Sequence, residues 1–175
     1  MLFSNLLIVY FLISFLFCNY YYIMHTSKIV VFPNEALLSR AIKSVAEGKK
    51  AIIPVKGQSM FPFIIGNRDC VELFPPDNLQ IGDIVLAKVN SQKFILHRIL
   101  RFHGEEGVTL MGDGNLHNTE ECLRREILAK ALLKISPNGK TKRLDSFSMK
   151  FFSKIWKFCL PMRGLLLRIF RKIMF

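Results

Sequence analysis

Apolar residues are spread unevenly along the chain, and their spacing divides it into three regions. The segment from Leu2 to Met24 contains no Asp, Glu, His, Lys or Arg. A middle region has short apolar runs broken by turn residues, and after Phe147 bulky apolar residues alternate with Lys and Arg. The pattern therefore predicts an apolar segment over residues 1–24, a folded domain over 28–140 and a helical tail over 146–175.

The apolar N-terminal segment is long enough to cross a bilayer. About 20 apolar residues, each rising about 1.5 Å in a helix, span a hydrocarbon core of about 30 Å. Tyr20, Tyr21 and Tyr22 fall at the end of the segment, where interfacial aromatic residues are common. A cleaved secretory signal fits less well, because no Lys or Arg precedes the apolar run. We expect a transmembrane anchor, unless Met24 is the true start and residues 1–23 are not translated.

The middle region combines one helix with several short strands. The segment from Pro33 to Glu47 has apolar residues at helical spacing and is followed by Gly48, a plausible helix stop. Short β-prone runs then alternate with turn residues, which predicts a mostly antiparallel sheet or barrel. The predicted strands are Ala51–Val55, Cys70–Phe74, Ile84–Val89, Lys93–Phe102, Gly107–Met111 and Glu126–Ile135.

The tail reads as two helical stretches broken near Pro161. In the second stretch, apolar residues such as Leu166 and Phe170 alternate with Arg168, Arg171 and Lys172. This basic, amphipathic pattern is typical of a helix that lies in a membrane interface. The alternative is a helix that packs on the domain's own core.

Charge and cysteine usage narrow the possible partners. Lys and Arg outnumber Asp and Glu by 25 to 13, which gives a formal net charge of +12. Such a balance suits nucleic acid or anionic lipid, and basic residues mixed with Phe, Ile and Leu after Asp145 favour lipid over nucleic acid. The four cysteines are scattered without CxxC or metal-ligand spacing, so neither a disulfide framework nor a metal site is expected.

One serine lies in a segment suited to a nucleophile, Lys56-Gly57-Gln58-Ser59-Met60-Phe61-Pro62. Gly57 permits a sharp turn just before Ser59, and Pro62 stiffens the chain just after it. The nucleophile elbow of α/β-hydrolases is excluded, because it would require glycine at Phe61. The alternative is an ordinary serine in a turn.

Two further segments supply a candidate base and a candidate carboxylate. His97 shares one face of a predicted strand with Ile95 and Ile99, so it is either a structural histidine or a general base for Ser59. Asp113 lies in a Gly112-Asp113-Gly114-Asn115 turn that could return a carboxylate toward a neighbouring strand. It is either a plain turn residue or the group that orients His97. Rival bases are His103, His117, Lys56 and Lys93.

The three segments, in this order, resemble the serine peptidases that unite signal peptidase I with the LexA-like self-cleaving proteins. Gly57–Pro62 is similar to their nucleophile box, Gly82-Asp83-Ile84-Val85 to the strand that follows it, and Gly112–Asn115 to their Gly-Asp-Asn box. His97-Arg98-Ile99 lies where the family carries a lysine or, in its endoplasmic-reticulum branch, a histidine. Gly114 makes the third match inexact, and Gly57 lacks the hydroxyl that some signal peptidases carry there.

The resemblance implies a fold and a set of residue roles. It implies a mainly β, LexA/signal-peptidase-like antiparallel domain, here with one amphipathic helix before the sheet. Ser59 would attack a peptide carbonyl, His97 would take its proton, and Asp113 would orient or electrostatically support His97. The loop at Gly57 and the backbone N–H of Ser59 would hold the oxyanion. No metal or other cofactor is implied.

The combined expectation is a membrane-associated serine endopeptidase that cleaves preproteins, signal peptides or peptide precursors. Its partners would be a protein or peptide substrate, and membrane lipid through residues 2–24 and 146–175. The alternatives are a LexA-like self-cleaving regulator and a non-catalytic membrane-binding module on the same fold.

The side of the membrane stays open. Positive charges follow the apolar segment, at Lys28, Arg40, Lys43, Lys49 and Lys50. The positive-inside rule would place the domain in the cytoplasm, whereas a signal peptidase acts on the outer face. The chain is either an exception to the rule or an enzyme that processes a cytoplasmic precursor.

Overall fold

The computed structural model describes residues 34–90 and 93–174 of the 175-residue chain. The apolar segment over residues 1–24 lies outside this range, so its predicted role as an anchor stays a prediction. Among the described residues, no helix has both the length and the apolar character needed to cross a bilayer.

Antiparallel strands dominate the fold. They form a curled, half-barrel sheet in the order β1-β2-β7-β3-β4-β5-β6, and β8 pairs with β7. Their bounds are β1 Ala51–Pro54, β2 Cys70–Phe74, β3 Ile84–Val89, β4 Lys93–His103, β5 Gly107–Met111, β6 Glu120–Leu123, β7 Ile127–Ile135 and β8 Thr141–Arg143.

The six predicted strands are confirmed to within a residue or two, and two further strands were not predicted. Both of these, β6 and β8, are short and mostly polar. They join the sheet because a neighbouring strand presents an unpaired edge, β5 to β6 and β7 to β8. Local apolar patterning does not reveal strands of this kind.

The curl of the sheet gives strand β3 a covered surface on both sides. Ile84 and Leu86 point into one hydrophobic cluster, and Val85 and Ala87 point into a second. Successive side chains of a strand face opposite sides of a sheet, so a strand covered on both sides reads as a continuous apolar run. This explains why the sequence of β3 does not alternate.

Three helices flank the sheet within the described part of the chain. Helix α1 covers Asn34–Ala46, α2 covers Phe147–Phe158 and α3 covers Arg163–Met174, with a 3-10 turn at Leu160–Met162 between the last two. The Ser146 side chain caps α2 by accepting a hydrogen bond from the Met149 N–H. The predicted helix before the sheet and the break near Pro161 are both confirmed.

The tail helices pack on the domain through one face. Their buried apolar residues join the larger hydrophobic cluster together with strands β1, β2, β3 and β7; these residues are Met149, Phe152, Trp156, Leu166, Leu167 and Phe170. The core-packing alternative of the sequence analysis therefore describes this inner face. The expected contact with lipid stays a prediction, and it now depends on the opposite face.

The two faces of α2 predict different costs for the same substitution. We expect Phe152→Ala to lower the free energy of unfolding by about 3–5 kcal/mol, because the ring is 6% exposed and its loss leaves a cavity. Phe158→Ala is the matched control on the same helix, where the ring is 85% exposed, and we expect a change within about 0.5 kcal/mol. Proteolysis-monitored urea unfolding of the full chain measures both, and equal effects would contradict this packing.

Candidate active site

The serine lies in a closed loop between β1 and β2. The Val55 N–H donates to the Asp69 carbonyl at 3.0 Å, and the Asn67 N–H donates to the Val55 carbonyl at 2.7 Å. Within the loop that these two bonds close, the Phe61 N–H donates to the Gln58 carbonyl at 3.1 Å. Backbone bonds on both sides of Ser59 thus hold the segment that carries it.

Close contact between two glycines fixes the floor of this loop. Gly57 has a φ of 73°, the left-handed region that favours glycine. A Cβ placed on Gly66 would overlap the Gly57 carbonyl oxygen. The two sides of the loop approach each other this closely only because residue 66 has no side chain.

A buried carboxylate anchors the far end of the loop. Asp69 accepts hydrogen bonds from the Ile65 N–H and from Arg68 Nε, both at 2.9 Å. Lys134 Nζ lies 3.7 Å from the same carboxylate, and burial lowers the pKa of Lys134. These contacts bring opposite charge to a side chain that is 1% exposed, as a buried charge requires.

The turn after β5 brings the three sequence-predicted segments together. The Gly114 N–H donates to the Ser59 carbonyl oxygen at 2.7 Å. A Cβ placed on Gly112 would overlap that same oxygen and would lie 3.0 Å from His97 Nε2. The Ser59 main chain, the His97 imidazole and the Gly112–Asn115 turn therefore meet at one point.

His97 is held by a carboxylate that the sequence analysis did not identify. Its Nδ1 lies 2.9 Å from Glu120 Oε2 on strand β6. An ionised carboxylate can only accept a hydrogen bond, so Nδ1 carries the proton and Nε2 of the neutral ring keeps a free lone pair. That lone pair belongs to the nitrogen that borders Gly112, where the Ser59 carbonyl oxygen also lies.

The surroundings of His97 favour its neutral form. The residue is 4% exposed, and burial lowers its pKa below the ordinary value of 6.5, against the charge and hydrogen bond of Glu120 and the charge of Asp113. The charge of Lys93 lowers this pKa further. An imidazole that is neutral at pH 7 is ready to accept a proton.

Asp113, the sequence-based candidate for orienting His97, binds Arg98 instead. Its two carboxylate oxygens accept from Arg98 Nε at 2.9 Å and from Arg98 Nη2 at 2.7 Å. The bidentate geometry occupies both oxygens, and Glu120 takes the orienting position. Asp113 was expected to orient His97 or to support it electrostatically. The electrostatic effect is present, because the Asp113 charge raises the pKa of His97.

The tail helices hold this turn from the other side. Trp156 Nε1 donates to the Asp113 carbonyl oxygen at 2.7 Å, and Arg163 Nη1 donates to the Asn115 carbonyl oxygen at 2.7 Å. Arg163 Nη2 also donates to the Trp156 carbonyl oxygen at 3.1 Å. Helices α2 and α3 therefore support the turn that contacts Ser59 and His97.

The Ser59 hydroxyl is partly exposed, and among residues 34–90 and 93–174 it has no hydrogen-bond partner. Within the same ranges the Ser59 N–H also donates to no protein group. Both groups are therefore open to a bound molecule. Nucleophile–base hydrogen bonds are often long before substrate binds.

The rival bases lie in less suitable surroundings. His103 is exposed at the end of β4 and contacts the Thr109 hydroxyl. His117, Lys56 and Lys93 are exposed as well. Lys93 acts on the site through its charge, which lowers the pKa of His97.

The sequence analysis did not identify Glu120 because it did not predict strand β6, which carries this residue. Once Glu120–Leu123 is recognised as a strand pairing back onto β5, Glu120 falls opposite Leu110, and Ile99 of β4 lies on the other side of Leu110. The acidic pair Glu120-Glu121 after a tight turn was the available signal. Without the register, no local pattern links either carboxylate to His97.

The sequence was compared with protein-family models and with curated proteins. No protein-family model matches the sequence, and no curated protein matches it. The resemblance to signal peptidase I and LexA-like proteins therefore rests on the ordered motifs alone.

The His97–Glu120 contact predicts a shift in a titration. We expect Glu120→Gln to lower the pKa of His97 still further, because it removes a negative charge that stabilises the imidazolium. A pH titration of the His97 ring signals by NMR in the full chain measures the shift.

Glu121→Gln is the matched control, since Glu121 is the exposed neighbour on the same strand. It should leave the His97 titration close to that of the wild type. Equal shifts in both variants, or none in either, would contradict the contact.

Proposed function

We propose that this chain is a membrane-associated serine endopeptidase of the signal peptidase I and LexA-like type, with Ser59 as nucleophile and His97 as general base. The observation that carries the proposal is the meeting of the Ser59 main chain with His97 Nε2 beside Gly112. The Nδ1–Glu120 bond adds to it, because a base is effective only in the correct tautomer. The mainly antiparallel sheet is compatible with the family's fold.

In the proposed reaction, Ser59 Oγ attacks the carbonyl carbon of the scissile peptide while its proton passes to His97 Nε2. The tetrahedral oxyanion accepts a hydrogen bond from the Ser59 N–H. The imidazolium then gives its proton to the leaving amine as the C–N bond breaks, which leaves an acyl-enzyme. Water activated by the neutral His97 releases the acid and restores the serine.

In this proposal Glu120 and Asp113 have different supporting roles. Glu120 keeps the proton on Nδ1 and stabilises the imidazolium that forms during attack. Asp113, paired with Arg98, holds the turn that packs on the Ser59 carbonyl. We expect substrates to be preproteins or peptide precursors presented as extended segments at the partly exposed Ser59.

The first test is a search for new protein N-termini. Wild type, Ser59→Ala and the control Ser44→Ala are expressed as full chains in membranes, and protein N-termini are mapped by mass spectrometry. We expect a set of N-termini that is present with wild type and Ser44→Ala and absent with Ser59→Ala, because Ser59 is the proposed nucleophile.

Ser44 belongs to helix α1, outside the site. If all three profiles match while each protein is folded and membrane-bound, the peptidase proposal fails and a non-catalytic membrane-binding module takes its place. Cleavage of the chain itself, lost in Ser59→Ala, would instead indicate the self-cleaving alternative.

The proposal also fixes the pH dependence of cleavage. Because the pKa of His97 is lowered below 6.5, kcat/KM should be close to its maximum at pH 7 and should fall as His97 is protonated at acid pH. We expect Glu120→Gln to reduce kcat by about 10²–10⁴-fold and to move the acid limb to lower pH. A kcat/KM profile on a cleaved peptide measures both, with Glu121→Gln as control, and an unchanged profile would remove Glu120 from the mechanism.

A further inference from the structure

Helix α2 carries an exposed aromatic stripe on the side away from the core. Phe147 is 86% exposed, Phe151 is 49% exposed and Phe158 is 85% exposed. Together with Lys154 they recur at intervals of three or four residues, so they lie along one face of the helix. Phe147 and Phe151 stack with ring centroids 6.4 Å apart. Three phenylalanines exposed in one line are unusual on a soluble surface.

The exposed apolar surface continues through the 3-10 turn into α3. Met162 is 41% exposed, Leu165 is 57% exposed and Ile169 is 37% exposed. Leu116, which is 40% exposed and directly follows the Gly112–Asn115 turn, lies within 3.9 Å of the Cβ position of Gly164. We call the six exposed apolar residues of the tail, Phe147, Phe151, Phe158, Met162, Leu165 and Ile169, the outer face.

The helices that carry the outer face also carry exposed cations, and no acid follows Asp145 in the sequence. The exposed cations are Lys154, Lys157, Arg168, Arg171 and Lys172. Two other basic residues of the tail are engaged within the fold, Lys150 with Asp83 at 3.3 Å and Arg163 in buried contacts with the Gly112–Asn115 turn. The charge left outside is therefore entirely positive.

We propose that the outer face and its cations dock on an anionic membrane surface. Aromatic and aliphatic side chains on a helix ringed by Lys and Arg match the interfacial boundary between acyl chains and negative headgroups. A second copy of the chain would bring the same positive charge, and like charges across an interface oppose association. The docking uses no residue of the helix side that packs on the core.

Docking would also place the candidate active site at the lipid surface. The same helices hold the Gly112–Asn115 turn through Trp156 and Arg163, and Leu116, next to that turn, lies against Gly164 of α3. Peptides that are themselves bound in the membrane interface are then the substrate class. This consequence rests on the proposed peptidase function, whereas the docking does not.

Two native thiols provide the test without any label site being added. Cys159 lies between α2 and α3, Cys70 lies on β2, and both are partly exposed. The full chain is placed in nanodiscs of phosphatidylcholine alone or with phosphatidylglycerol, and maleimide labelling of each thiol is followed by peptide mass spectrometry. We expect phosphatidylglycerol to slow labelling of Cys159 by about tenfold or more and to leave Cys70 unchanged.

Surface variants assign the effect to the outer face. Phe147→Ser with Phe158→Ser should abolish the protection of Cys159, and Lys154→Gln with Lys157→Gln should weaken it. The matched controls are Ile52→Ser with Ile81→Ser, which are 54% and 57% exposed outside the tail, and Lys43→Gln with Lys49→Gln for charge. An unchanged Cys70 rate in every variant shows that the domain is still folded.

Three results would overturn the docking proposal. These are equal Cys159 labelling in both lipids, protection that survives the phenylalanine changes, and protection in lipid-free detergent that grows with protein concentration, which would indicate a second copy. The same experiments distinguish failure of the peptidase proposal from failure of the docking proposal. In that case Ser59→Ala leaves all N-termini unchanged while the lipid-dependent protection of Cys159 persists.

Discussion

The arrangement of the candidate site depends on one close approach, between the backbone turn at Gly112 and the main chain of Ser59. The Gly114 N–H bonds the Ser59 carbonyl oxygen, and Gly112 leaves no room there for a side chain. The same turn borders His97 Nε2, so it sets how closely the Ser59 main chain and the His97 imidazole approach each other. In the proposed peptidase mechanism, Ser59 and His97 would have to be held within fractions of an ångström of their productive geometry.

Buried polar contacts make that approach rigid. The Arg98–Asp113 pair is bidentate and both side chains are nearly inaccessible. Removal of either partner from such a pair typically costs about 3–5 kcal/mol, because it leaves an uncompensated buried charge. Arg98 also donates to the Gly82 carbonyl at 2.6 Å, which ties the turn to the entry of strand β3. Asp113 thus serves the scaffold by pairing with Arg98, while Glu120 binds the His97 ring.

Helices α2 and α3 pack into the core, contact the candidate site and also carry exposed apolar residues. Their inner face fills the core, with Trp156 1% exposed and bonded to the Asp113 carbonyl. Their outer face leaves Phe147 and Phe158 almost fully in water, although burial of such rings is worth roughly 2–3 kcal/mol each. A segment with apolar residues on two opposite sides cannot bury both against one domain. The second side is available to a membrane.

By itself, the sequence determined most of the helices and strands, and it singled out the Ser59 segment as a hypothesis. Apolar periodicity located the helix before the sheet, six strands and the two-part tail, because each buries a face whose spacing is local. Motif order brought Ser59, His97 and Gly112–Asn115 together as a hypothesis, and the fold places them at one point. Only the tertiary structure decided that Glu120, and not Asp113, binds His97, because that choice depends on the register of a short polar strand against β5. It also decided which apolar residues of the tail are in the core, since helical spacing defines a face without saying what covers it.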